Sequence, residues 1–260
     1  MYDLLSSFDI WRINCNFEDM SENQYFKFSL ELLLAPLFAV LAIWSVFWFE
    51  VNFSVSFNSY GLFPRNLVGL RGIVLSPFIH GSLDHLYNNT VPLAILTLAL
   101  FYFYRQKAWK ILLWGWFISG VLTWVIGRES YHIGASGIIY VLASFIFFKG
   151  IFQKHFRLVA LSLTIVFIYG SMLWYVLPIE EGISWEGHLS GFVTGLLLAK
   201  TIKVHVPTPK KYEWEKEDYD ENEDEFLRHF DENGNFMESP KDTEAVNTEI
   251  IYHYKKGDRD

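Results

Sequence analysis

The sequence predicts an all-α polytopic membrane protein, and three observations carry that prediction. Of 260 residues, 52% are hydrophobic and 18% aromatic, and the mean hydropathy is +0.19. The apolar residues are concentrated between positions 28 and 203, where several segments reach the roughly 20 residues that a spanning helix needs. Charge is segregated as well: residues 212–260 hold 17 acidic and 6 basic side chains, a net of −11, against 12 and 15 in the first 211, a net of +3. Three regions follow: an N-terminal segment 1–27, a six-span domain 28–203 and an acidic tail 204–260. The tail is expected to be mostly disordered, because so polar a stretch buries too little apolar surface to offset its ordering entropy.

The first span is LLLAPLFAVLAIWSVFWF, 32–49, bracketed by Glu31 and Glu50. A long loop, 51–83, follows, and its GLFPRNLVGLRGIVLSPF is amphipathic and aromatic, which suits a segment lying in the membrane interface. Five further spans are expected at about 85–104, 109–126, 136–148, 156–177 and 186–202. Arg105, Lys107 and Lys110 lie between spans two and three, and Lys149, Lys154 and Arg157 between four and five. The alternate loops hold Arg128 in one case and only Glu180 and Glu181 in the other. The positive-inside rule therefore puts both termini in the cytoplasm and the Ser136 end of span four on the opposite side.

Several classes are excluded or disfavoured. The single Cys15 cannot form an internal disulfide, no Cys/His cluster has zinc-like spacing, and nothing resembles a nucleic-acid surface. The opening MYDLLSSFDIWRINCNFEDM lacks the basic start and continuous apolar core of a signal peptide. There is no H-E-x-x-H, and a G-x-S-x-G elbow is ruled out because position 138 is Ile.

Span four asks the functional question. In HIGASGIIYV, Ser136 stands among Gly134, Ala135 and Gly137 just before an apolar run. Small residues let membrane helices approach closely, so a packing patch is one reading and a nucleophile on a tight turn is the other. Thirteen residues rise only about 20 Å against a hydrocarbon core of roughly 30 Å. With its cytoplasmic end at Lys149, the span leaves Ser136 below the outer surface, and the preceding GRESYHIGAS dips inward as irregular backbone. Such backbone is tolerated only where protein buries it or where it lines a wet cavity.

Polar residues within spans are functional by default. His85, Asn89, Ser136 and His188 all fall near the non-cytoplasmic ends of their spans. His188, Gly191 and Gly195 are at i, i+3 and i+7, one face able to pack tightly and deliver the histidine to Ser136 as its base. His85 and Asn89, at i and i+4, can donate to an oxyanion together with the Ser136 N–H at its helix N-terminus. No Asp or Glu is expected inside spans four or six to complete a triad. Tyr140, at i+4 from the serine, can instead pack under the imidazole. Gly134 and Gly137 supply backbone freedom.

At this point the chain resembles the rhomboid intramembrane serine proteases. The carriers are GASG with Tyr140, GHLSGFVTG as H-x-x-G-x-x-x-G, and LRGIVLSPFIHGSLDHLYNN with His80, His85 and Asn89, over roughly residues 30–203. Arg71 matches the arginine of the family's Trp-Arg pair, whereas Leu70 replaces the Trp and Gly187 stands where alanine commonly precedes the histidine. The resemblance implies a Ser136–His188 dyad, an oxyanion hole lined by His85 and Asn89, membrane-spanning helices as substrates, and neither metal nor organic cofactor. It also implies a multi-pass protein of a bacterial inner membrane. Two rivals stand beside it: a catalytically silent relative that binds membrane clients, and a haem-bearing electron carrier. His80 is expected to hold the loop entering span two, while His132, His155 and Glu31 are unassigned interfacial or loop residues.

Overall fold

The computed structural model describes residues 30–168, 174–179, 182–204, 212, 214 and 216–238. The predicted segment 1–27 lies outside them. The chain divides into two units, Met1–Thr208 and Pro209–Asp260.

The first unit is helical among its described residues. Its helices are α1 (Leu30–Phe53), the one-turn α2 (Gly72–Leu75), α3 (Leu83–Phe103), α4 (Ala108–Ile126), α5 (Ser136–Phe152), α6 (Phe156–Ile168) and α7 (Trp185–Thr201). Among the described residues, three segments are long and apolar enough to cross a membrane: Leu32–Phe53, Leu83–Phe103 and Ala108–Ile126. Their large side chains on the outer face, among them Phe38, Trp48, Leu113 and Phe117, are exposed, as a lipid-facing surface requires.

Helix α5 is the centre of the unit. Residues 138–146 are buried without interruption, and a helix apolar on every side belongs in a core. It begins at Ser136, as expected, but runs 17 residues, about 26 Å rather than 20 Å. It packs on α7 through glycines. A Cβ built on Gly191 would meet the Gly137 carbonyl oxygen at 2.3 Å, and one on Gly195 would meet that of Val141 at 2.4 Å. At the far end, the buried Lys149 donates from Nζ to the carbonyls of Ala199 (3.1 Å) and Ile202 (2.7 Å), satisfying groups that a helix C-terminus leaves open.

The long loop after α1 is folded against the bundle. Glu50 Oε1 accepts the Phe57 N–H, and Arg71 donates to the Ser59 carbonyl while lying 4.3 Å over the Tyr60 ring. Trp116 of α4 donates to the Ile73 carbonyl at 2.6 Å. Of the expected span five, α6 is described over Phe156–Ile168 and a 3-10 turn over Trp174–Val176, and residues 169–173 lie outside the described residues.

Within the second unit, residues 216–238 form turns, a 3-10 turn at Leu227–His229 and an isolated bridge between Phe230 and Phe236. Asp231 accepts the N–H groups of Asn233 and Asn235, each at 2.8 Å.

Overpacking at a tight contact costs about 1–3 kcal/mol, and more where backbone is the obstacle. Gly191→Val and Gly195→Val should each lower the thermal midpoint in detergent. Gly81→Ala, whose added carbon would meet only Ile133 Cδ1 at 3.5 Å, should change it little.

Candidate active site

Ser136 is the first residue of α5 and His188 lies in the first turn of α7. The close approach over Gly191 brings them together: Ser136 Oγ and His188 Nε2 are 2.9 Å apart. The other ring nitrogen, Nδ1, lies 2.9 Å from the Tyr175 carbonyl oxygen. A carbonyl can only accept, so Nδ1 carries the proton and Nε2 is left as the acceptor for the serine hydroxyl. Tyr140 stacks on the imidazole, with ring centroids 4.4 Å apart and planes at 16°. The ring is thus fixed by one hydrogen bond at its back and one aromatic face.

His85 and Asn89 are one turn apart on α3, whose start is capped by Ser82 Oγ accepting the His85 N–H at 3.1 Å. Asn89 is buried and donates one amide hydrogen to the His85 carbonyl at 2.8 Å, which leaves its second for the cavity. His85, Asn88, Asn89, Ser136, Tyr140, Tyr175 and His188 all line one cavity of about 850 Å³. Asn88 is exposed where Asn89 is buried, so the two face this cavity differently. Gly134, at φ +104°, is needed for two reasons: the left-handed backbone, and the space, since a Cβ there would sit 2.6 Å from the His85 ring.

His80 holds the floor of the site. Its Nδ1 lies 3.3 Å from the Phe78 carbonyl, and its Nε2 accepts the Ala135 N–H at 3.5 Å. That pattern requires a neutral ring, and burial, with His85 beside it, pushes its pKa down to about 4. A second cavity of about 40 Å³ lies behind Ser136, lined by Ser76, Ser119, Thr123, His132 and Ser184 among others. It is polar and roomy enough for water.

Three further features are not apparent from sequence spacing. One is Tyr175, which contributes a backbone carbonyl and so leaves no residue signature. Another is Glu186: it sits in the first turn of α7 at the edge of the expected span six, so that span does contain a carboxylate. It turns to Arg128 rather than to His188 Nδ1, accepting the Arg128 N–H at 3.1 Å. The last is His132, buried rather than interfacial, between the Arg128 carbonyl and the Ser184 hydroxyl. His155 is also buried, edge-on to Phe103. Among the described residues no three His, Cys, Asp or Glu side chains are grouped to hold a metal ion.

The family model for the rhomboid domain matches residues 69–204, just over half of the chain and all of this site. The chain belongs to the rhomboid family. It is therefore an integral membrane protein of an intramembrane protease family. It is similar to an uncharacterized protein of Mycobacterium tuberculosis, 32% identical over 157 residues, covering 55% of this chain and 64% of that protein. An uncharacterized protein of Mycobacterium leprae is 30% identical over 144 residues, 52% of this chain and 57% of that protein. The rhomboid described here thus spans 64% and 57% of the length of these two curated relatives.

Protonating His80 would break its bond from Ala135. Because its folded pKa lies below the 6.5 of a free imidazole, the unfolded chain binds more protons between about pH 4 and 6.5. Thermal stability should be fully present above pH 6.5 and fall as the pH is lowered toward 4, and the slope should be shallower in His80→Gln.

Proposed function

We propose that this rhomboid is a serine endopeptidase that cleaves peptide bonds within or near the membrane-spanning helices of other membrane proteins. The observation that carries the reading is the 2.9 Å contact between Ser136 Oγ and His188 Nε2, with Nδ1 engaged by a carbonyl. A free hydroxyl is a poor nucleophile near neutral pH and needs an adjacent base.

His188 takes the proton as Oγ attacks the carbonyl carbon. The tetrahedral oxyanion is held by Asn89, His85 and the N–H of Ser136, the first residue of α5. His188 then protonates the leaving amine, giving the acyl-enzyme. Water attacks the ester with His188 again as base, returning the free serine. The small polar cavity behind Ser136 supports a local supply of that water. A helix hides its peptide bonds in its own hydrogen bonds, so substrates carrying small or helix-breaking residues near the cut are favoured. In this reading all six described helices longer than one turn span the bilayer, both termini are cytoplasmic, and the site opens to the other side.

Ser136→Ala and His188→Ala should each abolish both labelling by a fluorophosphonate probe and cleavage of a model membrane substrate. The double variant should be little worse, since the two act as one unit. Cleavage retained by Ser136→Ala would sink the proposal.

Asn89 is assigned to the transition state. Losing one such donor costs about 10²–10³ in turnover. Asn89→Ala should therefore lower kcat by that order with KM little changed, while Asn88→Ala is much milder. A reversed ranking would move the oxyanion contact to Asn88.

A further inference from the structure

We infer that Arg128 and Glu186 are a positioning pair that sets the distance between Ser136 and His188; this rests on the hydrolytic reading above. Arg128 lies eight residues before the serine, and Glu186 two residues before the histidine. A link between them ties together the two backbone segments that deliver the nucleophile and the base, just upstream of both.

The link is made of several contacts. Glu186 is 2% exposed, and its Oε1 accepts the Arg128 backbone N–H at 3.1 Å and lies 3.8 Å from Arg128 Nε. Arg128 Nη2 donates to the Ile183 carbonyl, two residues before α7 begins. The Arg128 carbonyl in turn receives His132 Nε2 at 3.1 Å, and His132 Nδ1 accepts the Ser184 hydroxyl. Burial lowers the His132 pKa, which fits the neutral ring this arrangement needs. His132 is also paired by its backbone to Leu62 in both directions, at 2.8 and 3.0 Å. The first loop, the loop before α5 and the start of α7 therefore meet around one ion pair.

Charge and burial argue that the pair is kept for geometry. Arg128 is the one basic residue of its loop, on the side where the positive-inside rule leaves it unexplained. The arginine side chain is 42% exposed, so the Coulombic stabilisation is screened and small. Burying a carboxylate is costly, and a buried ion pair is weak evidence for stability. What the pair does fix is the register of α7 against the loop before Ser136. Glu186 does not touch the reacting atoms; it acts through the backbone that carries His188.

The test uses the full chain purified in detergent, comparing wild type, Arg128→Ala, Arg128→Lys, Glu186→Gln and the double Arg128→Ala/Glu186→Gln. Three quantities are measured: the rate of fluorophosphonate labelling of Ser136, kcat and KM on a membrane substrate, and the thermal midpoint. Glu186→Gln keeps shape and acceptor while removing charge, so it remains informative should Arg128→Ala fold poorly. Misplacement by about 1 Å costs on the order of a hundredfold. Labelling rate and kcat should fall roughly ten- to a hundredfold in Arg128→Ala and by less, a few-fold, in Glu186→Gln, which keeps the acceptor for the Arg128 N–H, with KM nearly constant in both. The double variant should be no worse than the poorer single one, and Arg128→Lys should recover most of the rate. Wild-type labelling rates in folded Arg128→Ala and Glu186→Gln would overturn the inference, as would losses explained entirely by an unfolded fraction. Labelling of Ser136→Ala equal to wild type would instead remove the hydrolytic reading itself.

Discussion

The contact between α5 and α7 is what the rest of the site depends on. Lipid tails are as apolar as the helices, so no hydrophobic force draws two helices together within a bilayer. Close approach has to come from shape. Gly191 and Gly195 remove side chains where a Cβ would stand 2.3–2.4 Å from a carbonyl oxygen of α5. Ser144 Oγ donates across the same interface to the Phe192 carbonyl at 2.7 Å, and Lys149 closes the far end. The same face that carries the glycines carries His188, so the packing that stabilises the bundle also brings the imidazole to Ser136.

Irregular backbone near the serine follows a second constraint: every buried N–H and C=O needs a partner. The loop leading to α5 meets it by leaning on the first loop. Gly134 donates to the Ser76 carbonyl at 2.9 Å, Ala135 to His80, and His132 to Leu62. The long first loop is thus the scaffold of the turn that presents Ser136, beyond any role at the membrane surface. Leu70 is exposed while Arg71 keeps its contacts with Ser59 and Tyr60, so this loop is held by its arginine without the tryptophan.

The histidine is oriented by a carbonyl and an aromatic face rather than by a carboxylate. A carbonyl fixes the tautomer without placing a second charge in a low-dielectric site, where desolvating an ion is expensive. The nearby carboxylate of Glu186 is committed to Arg128 instead. Orientation and positioning are therefore served by different groups: Tyr175 and Tyr140 act on the ring, and Glu186 on the backbone below it.

The amino-acid order alone determined the helical class, the start of α5 at Ser136, and which polar residues stand near helix ends. Those follow from local rules, hydrophobic run length and the i, i+3, i+7 spacing of His188 with its glycines. The sequence also carried the family resemblance that the domain match later gave independently. Only the tertiary structure decided which atoms meet. The Tyr175 carbonyl has no side-chain signature, because any residue offers one. Glu186 was missed because it falls at a span boundary, where length arguments are weakest. The partners of Arg128 and His132, Ile183, Ser184 and Leu62, are far from them in sequence, and loop backbone closes on such partners only once the helices have packed.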